Sequence, residues 1–250
     1  MCYVSITGRR FFLFPGNTSD LRCCMTKNTT ASLVEGTIFM AGITFLGGFM
    51  DAYTFMTRGG IFANNQTGNM AKLGIHFAQQ NWKGVNECFF VMFCCVLGAC
   101  FSQVVQHKLH WFQGDWRKRG LLLLAFALFL SGFVPTTIPH VYVGAAFTFL
   151  AGFQSCLFRK WEGTAHNTIV STGNLRSIGL YLYDALDKNQ NQEWSKLARY
   201  VMVAFSFAVG CAVGALVCTQ MGIRASWLGS VIAITMALTL HQREKACVNL

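Results

Sequence analysis

The sequence predicts an all-α polytopic membrane protein that crosses the bilayer about six times, and three observations support this fold class. Apolar segments of roughly 20 residues, the length that a helix needs to cross a hydrocarbon core, recur along the chain. Of its 250 residues, 53% are hydrophobic and 12% are charged, whereas soluble domains carry about 25% charged residues. Lys and Arg cluster between the apolar segments, as they do in loops beside a membrane. The predicted spans are residues 36–56, 88–105, 120–137, 141–158, 200–219 and 225–240.

Composition and spacing argue against several classes of site. The net charge of +10 does not indicate nucleic-acid binding, because the basic residues form no face interleaved with aromatic side chains. Many of the 11 cysteines fall inside predicted spans, which argues against a disulfide framework. No Cys or His spacing resembles a metal site, and no Gly-rich phosphate loop is present. We therefore expect no metal ion, no cofactor and no set of catalytic residues.

Residues 1–32 are predicted to form an amino-terminal tail rather than a span. Arg9 and Arg10 precede a short apolar run, as in a twin-arginine export signal, but Pro15 ends that run too early. An alternative is that translation begins at Met25, so that the preceding residues are an over-extension of the chain.

The chain contains an internal duplication. Residues 43–49 read ITFLGGF and residues 147–153 read FTFLAGF. Each block is followed by a Thr-Gly-Asn run, and each run is followed by two further apolar spans. Several landmarks in the same order predict two membrane repeats, over residues 36–138 and 139–243.

The two Thr-Gly-Asn segments, residues 61–80 and 167–185, are far more polar than the spans and decide the topology. If both dip into the membrane and return, six spans cross, and most Lys and Arg residues lie on the side of the amino terminus. Only Arg58, Lys83 and Arg224 then lie on the other side. If both segments cross fully, the two sides carry nearly equal numbers of basic residues. The first arrangement fits the positive-inside rule and puts the amino terminus in the cytoplasm.

Three crossings per half would make the second repeat inverted relative to the first. Inverted repeats are typical of secondary transporters, in which interrupted segments from the two halves meet near the middle of the bilayer. We therefore expect the two Thr-Gly-Asn segments to approach each other.

The motifs of the first half resemble those of the YoaK family of bacterial membrane proteins. They are the run Gly47 to Ala52 (GGFMDA), the run Gly59 to Asn64 (GGIFAN) and the tripeptide Thr67, Gly68, Asn69. With the second tripeptide, Thr172, Gly173, Asn174, the resemblance covers roughly residues 33–242. It implies a multi-spanning membrane domain in the cell membrane with no established substrate. A polar stretch at Gln79, Gln80 and Asn81 departs from the family pattern.

Asp51 is the first candidate for a functional residue. It is the only carboxylate near the interior of a predicted span, where an ionisable group is costly and is by default a functional hypothesis. It could bind and release a proton or a cation. The alternative is a structural role at the interface, in which Asp51 caps a helix or pairs with Lys72 or Arg58. Its counterpart in the second repeat is Ser155, so a charge-dependent step would be asymmetric.

The polar segments supply the other candidates. Thr67 and Thr172 are positioned to cap helices that begin at these segments, and Asn69 and Asn174 offer amide donors and acceptors beside them. Asn65 lies in the same polar run as Thr67. In the functional interpretation, two helix amino termini face a solute in the membrane. In the structural interpretation, these side chains only bind interrupted backbone, which lipid cannot satisfy.

The favoured function is a small-solute transporter or channel with its site between the repeats. That site would consist of Asp51, Asn65, Thr67, Asn69, Thr172 and Asn174. A membrane-embedded enzyme acting on a lipid-linked substrate is an alternative, with Asp51, His76 and His166 as its available acid–base groups. A scaffold or assembly protein is a third. The expected partners are the lipid bilayer and an unidentified solute, and the sequence does not specify an oligomeric state.

Overall fold

A computed structural model describes residues 3–6, 9–12, 36–108, 116–158, 160–161, 164–165, 171–188 and 191–248. This part of the chain contains eight α-helices, as the all-α prediction requires, and two short antiparallel hairpins. The helices are α1 Thr37–Thr57, α2 Gln66–Ala78, α3 Trp82–His107, α4 Trp116–Ser131, α5 His140–Leu157, α6 Ser171–Lys188, α7 Asn191–Met221 and α8 Ser226–Val248. A 3-10 turn, Gly222–Ala225, joins α7 to α8.

The hairpins were not expected from the sequence. Strand β1, Tyr3–Ile6, pairs with β2, Arg9–Phe12, and strand β3, Lys160–Trp161, pairs with β4, Thr164–Ala165. Met25, the alternative start of translation, lies outside the described residues.

Each predicted span corresponds to a helix, and four helical segments of the described chain are long and apolar enough to cross a membrane. They are Thr37–Thr57, Trp82–His107, His140–Leu157 and Glu193–His241. The last has 49 residues and includes a turn, so it contains most of α7 and most of α8. The chain is therefore an α-helical protein of membrane character.

Helix α4 is shorter than predicted. It ends at Ser131, six residues before the expected limit of 137. Gly132 follows directly and Pro135 lies close behind, and both residue types disfavour continuation of a helix. The carbonyls of Ser131 and Val134 are bound instead by the side chain of Arg58.

The helices pack in pairs that draw one member from each half of the chain. Helix α1 lies along α7, α3 lies along α5, and α4 lies along α8. Small residues allow close backbone contact in the first two pairs. Gly48 of α1 touches the carbonyl of Phe207, and Gly210 of α7 touches the carbonyl of Phe45. In the second pair, Gly152 touches the carbonyl of Cys95, and Gly98 touches the carbonyl of Phe149.

The ends of the helices show how the chain runs. One buried cluster joins the start of α1, the end of α3, the start of α4, the end of α5 and the end of α8, through Phe39, Val105, Leu121, Leu157 and Leu240. At the opposite end of α1, Gly59 lies against His140 at the start of α5. The helices α1, α3, α4 and α5 therefore alternate in direction along the chain.

We predict that Gly98→Ala lowers thermal stability, whereas Gly74→Ala does not. A Cβ at Gly98 would collide with the backbone of Phe149, and forcing extra atoms into a packed contact costs about 1–3 kcal/mol. A Cβ at Gly74, within α2, meets nothing within 4 Å, and Ala is favoured over Gly in a helix by about 0.5–1 kcal/mol. Thermal unfolding of the two detergent-purified variants measures the difference. Equal melting temperatures would contradict the close α3–α5 contact.

Candidate functional site

The candidate site is built around a break in the chain after α1. Gly59 and Gly60 both have positive φ angles, of 71° and 73°, which side chains other than glycine rarely tolerate. They reverse the chain immediately after Arg58. The guanidinium of Arg58 is fully buried, and its Nη2 donates to the Tyr53 hydroxyl at 3.1 Å. The same Nη2 donates to the carbonyls of Ser131 and Val134 at 3.0 Å, which anchors the break to the end of α4.

After the reversal, the chain runs back along α1. Asn64 Nδ2 donates to the carbonyl of Gly47 at 2.8 Å. Gly47 precedes the last residue of α1 by ten positions, which corresponds to about 15 Å along the helix axis. Helix α2 therefore begins well inside the bundle, beside the middle of α1.

Asp51 holds in place residues 61–65, which we call the returning segment. Its side chain is only 4% exposed, and its Oδ1 accepts from the backbone N–H of Asn64 at 2.6 Å and from Asn64 Nδ2 at 3.4 Å. The backbone N–H groups of Ala63 and Asn65 also interact with the carboxyl. A negative charge at the amino terminus of a helix is favourable, and here that charge comes from α1.

The cap of α2 differs from the prediction. Asn65, and not Thr67, is the capping residue: its side chain accepts from the backbone N–H of Gly68 at 3.1 Å. Asn is among the strongest capping residues, and the helix starts two positions earlier than a Thr67 cap would allow. Thr67 instead lies in the first turn of α2.

The proposed partners of Asp51 are engaged elsewhere. Arg58 binds Tyr53 and α4, and Lys72 donates to the carbonyl of Gly60. Within the described residues, Asp51 forms no ion pair and is bound by the backbone and side chain of the segment that follows α1. The structure therefore shows no pairing of Asp51 with Lys72 or Arg58, whereas the other form of the structural alternative, in which Asp51 caps a helix, agrees with its bond to the N–H of Asn64 just before α2.

A cavity of about 740 Å³ lies next to Asp51, where helices from both halves converge. Its walls come from α1, the returning segment, the start of α2, and the middles of α3, α5 and α7. Asp51, Asn65 and Thr67, three of the predicted site residues, line it, and so does Ser155, the counterpart of Asp51. The other lining residues are Ala52, Phe55, Met56, Phe62, Asn64, Gln66, Cys95, Ala151, Gly152, Phe207, Cys211 and Ala215.

Asn69 has a different environment. Its Nδ2 donates to the carbonyl of Phe62 at 2.8 Å, and its Oδ1 accepts from the N–H of Phe62 at 3.3 Å. Both groups of the amide thus bind one residue of the returning segment. The side chain does not line the 740 Å³ cavity, and its contacts match the structural interpretation of the Thr-Gly-Asn motif.

The second Thr-Gly-Asn run begins helix α6, which packs along α7. Asn174 is 1% exposed, and its Oδ1 has no hydrogen-bond partner among the described residues. Thr172 lies in the first turn of α6, and its side chain is outside the described residues. Asn174 does not line the cavity. The main neighbour of α2 is α3, so the structure does not pack the two Thr-Gly-Asn helices against each other.

A second pocket, of about 540 Å³, lies on the other side of the returning segment. Its walls carry several charged or titratable side chains, namely Lys72, His76, Lys83, Glu87, Cys88 and His140. Within the described part of the chain, no group of three or more His, Cys, Asp or Glu side chains is placed to hold a metal ion. Sequence reasoning did not find this pocket, because its residues come from four separate segments.

We predict that Asp51→Ala destabilises the protein much more than Asp51→Asn. Alanine leaves the buried N–H of Asn64 without its acceptor, and an unsatisfied buried donor costs about 1–3 kcal/mol. Asparagine keeps an acceptor oxygen at the same place. Thermal unfolding of both variants tests this, with Asp187→Ala, at an exposed position on α6, as the control. Equal stability of the Ala and Asn variants would show that the hydrogen bond is unimportant.

Comparison with known proteins gives one match. Residues 39–239 match the family model described as "Protein of unknown function (DUF1275)". No curated protein and no solved structure matches the chain. The matched region includes the break after α1, Asp51 and every lining residue of the cavity. The chain therefore belongs to the DUF1275 family, the uncharacterised membrane proteins that include YoaK, as the sequence motifs indicated.

Proposed function

We propose that the protein is a small-solute transporter or channel whose site is the cavity beside Asp51. The observation that carries this proposal is the position of the cavity. It lies in the interior of a membrane protein, it is lined from both halves of the chain, and it contains a buried carboxylate. Ionisable residues at such positions mark solute or ion pathways in many membrane proteins.

The proposed topology has six crossings, by α1, α3, α4, α5, α7 and α8. Helix α2 has 13 residues, about 20 Å of helix, and begins beside the middle of α1, which favours a segment that dips in and returns. Large apolar side chains on the surfaces of α3, α4, α7 and α8 are suited to contact with lipid. Phe89, Phe126, Phe205 and Leu238 are each between 53% and 68% exposed.

The halves 36–138 and 139–243 are proposed to be inverted repeats. Two sets of backbone contacts support this. Gly48 contacts Phe207 just as its counterpart Gly152 contacts Cys95, and Gly210 contacts Phe45 just as Gly98 contacts Phe149. In each case the first helix of one half packs on the third helix of the other half. Because α1 and α5 run in opposite directions, the axis that relates the halves would lie in the plane of the membrane.

This arrangement has a functional consequence. The cavity lies where the α1–α7 pair and the α3–α5 pair come together, and both pairs contribute lining residues. Rocking of one pair against the other would open the cavity first to one side of the membrane and then to the other, as in alternating access. The cell membrane, with the amino terminus in the cytoplasm, is the proposed location.

The enzyme alternative has less support. A hydrolase needs an acid and a base within reach of one substrate. His76 lies in the second pocket, where its Nδ1 is 3.2 Å from Asn81 Nδ2, and it does not line the cavity of Asp51. His166 lies outside the described residues. A scaffold role would not account for the solute-sized cavity.

The six-crossing topology predicts that Lys83 and Lys108 lie on opposite sides of the membrane. They flank α3, and both side chains are exposed. We expect a membrane-impermeant maleimide to label only one of the variants Lys83→Cys and Lys108→Cys in intact cells, and to label both after the membrane is opened. Native cysteines are controlled by the labelling of the parent protein. Labelling of both variants in intact cells would contradict the topology.

Filling the cavity should stop solute movement. We predict that Ala215→Phe, on the cavity wall, reduces uptake by proteoliposomes about tenfold or more, since a close contact with the solute is replaced by a clash. Ala212→Phe is the matched control: it lies one turn away on the same helix and is exposed. A panel of labelled inorganic ions, amines, carboxylates and sugars identifies a solute first. A panel in which no member moves faster than through protein-free liposomes contradicts the proposed function, and so do equal effects of the two variants.

A further inference from the structure

The full charge on the described wall of the cavity is of one sign, negative. Of the described residues that line it, Asp51 carries the only full charge, and none is Lys, Arg or His. Within a membrane, a carboxylate acts through a medium of low dielectric constant, so its attraction for a cation and its repulsion of an anion are both strong. The cavity therefore favours a positively charged solute over a negatively charged one.

The Asp51 carboxyl lines the cavity in a fixed orientation. Asn64 donates to its Oδ1 from the backbone N–H at 2.6 Å and from Nδ2 at 3.4 Å, and the N–H groups of Ala63 and Asn65 also interact with the carboxyl. These contacts fix the orientation of the carboxyl group. A charge that is oriented in advance binds a ligand at lower entropic cost than a mobile one.

Aromatic rings form the neighbouring wall. Phe55 and Phe62 are stacked, with centroids 5.0 Å apart and planes inclined by 24°, and both line the cavity. Phe207 and Met56 line it as well. Aromatic faces attract ammonium groups through the ring quadrupole, and this contact is a common way to recognise quaternary amines.

The protein already places one ammonium group on this aromatic pair. Lys72 Nζ lies 5.3 Å from the centroid of Phe55 and 4.9 Å from that of Phe62. Lys72 itself lines the second pocket and not the cavity. The pair therefore already holds one ammonium group, and the positive charge of Lys72 opposes the approach of a second cation to the same rings.

We infer that the cavity binds an organic cation, an amine or a quaternary ammonium compound, between Asp51 and the Phe55–Phe62 pair. This inference rests on the proposed function and names its class of substrate. The volume of about 740 Å³ suits a small organic molecule. A bare metal ion fits less well, because Mg²⁺ and Ca²⁺ take about six to eight oxygen ligands and this wall is largely apolar.

Direct binding tests the inference on the full-length protein. The probes are labelled choline, tetraethylammonium and phenethylammonium, with 3,3-dimethylbutan-1-ol and 3,3-dimethylbutanoate as a neutral isostere and an anionic analogue of choline. We expect at least one cation to bind. The neutral and the anionic compound should compete about tenfold less well or not at all, because they lack the charge that the Asp51 carboxylate attracts. A tenfold loss of affinity corresponds to about 1.4 kcal/mol. This comparison uses the wild-type protein and does not depend on the folding of a variant.

Variants locate the site. Asp51→Asn, which keeps the acceptor for Asn64, should weaken cation binding about tenfold or more, whereas Asp187→Asn, an exposed carboxylate on α6, should leave it unchanged. Phe62→Leu should weaken binding severalfold through the lost ring. Lys72→Gln should strengthen it, because the competing ammonium is removed.

The outcomes separate this inference from the proposed function. Transport of a neutral or anionic solute without binding of any of the three cations overturns the organic-cation inference and leaves the transporter proposal standing. Cation binding without movement of any solute overturns the transporter proposal alone. Cation binding that is unchanged by both Asp51→Asn and Phe62→Leu overturns the assigned site.

Discussion

The hydrogen bond between the Asp51 carboxyl and the N–H of Asn64 is the interaction on which the rest of the site depends. Backbone that leaves a helix inside a bilayer has no water to bind, and an unsatisfied group there costs several kcal/mol. Asp51 supplies an acceptor at that depth, and Asn64 Nδ2 in turn donates to the carbonyl of Gly47. Because the backbone of the returning segment is bound within the bundle, the chain can run back along α1 and begin a new helix in the interior. The cavity wall follows from that return.

At the other end of the break a positive charge is buried, and backbone carbonyls bind it. Arg58 is as deeply buried as any apolar side chain in the core. Within the described residues it pairs with no carboxylate, and its guanidinium donates to the Tyr53 hydroxyl and to two carbonyls at the end of α4. Carbonyls at a helix carboxyl terminus carry partial negative charge, so they suit a guanidinium. The Asp51 carboxylate beside the start of α2 and the Arg58 guanidinium at the end of α4 therefore fix the residues that lead from α1 into α2. The same two interactions explain why Asp51 and Arg58, only seven positions apart, do not pair with each other.

The sequence predicted the helices well because apolar length is a direct consequence of bilayer thickness. Three of the predicted site residues, Asp51, Asn65 and Thr67, line the cavity, and they could be chosen because polar groups within apolar sequence are conspicuous. Asn69 was predicted to contact the solute, whereas both polar atoms of its amide bind Phe62. The cap of α2 was predicted at Thr67, whereas the structure has it at Asn65. The aromatic wall was not predicted, because the sequence does not distinguish a Phe that faces lipid from one that faces a cavity. Phe207 and Cys95 become neighbours of Asp51 only through the packing of α7 and α3.

The two proposed repeats differ in charge at a position that lines the cavity. Asp51 and its counterpart Ser155 line the same cavity, yet only one of them carries charge, and the Ser155 hydroxyl is occupied by the carbonyl of Gly152 at 2.7 Å. Two equivalent carboxylates facing one cavity would repel each other at short range and would favour protonation or a divalent ion. A single carboxylate is instead balanced by a single monovalent cation. The substitution of Ser for Asp in the second half thus suits a solute with one positive charge, and it makes the two faces of the cavity unequal in their hold on that solute.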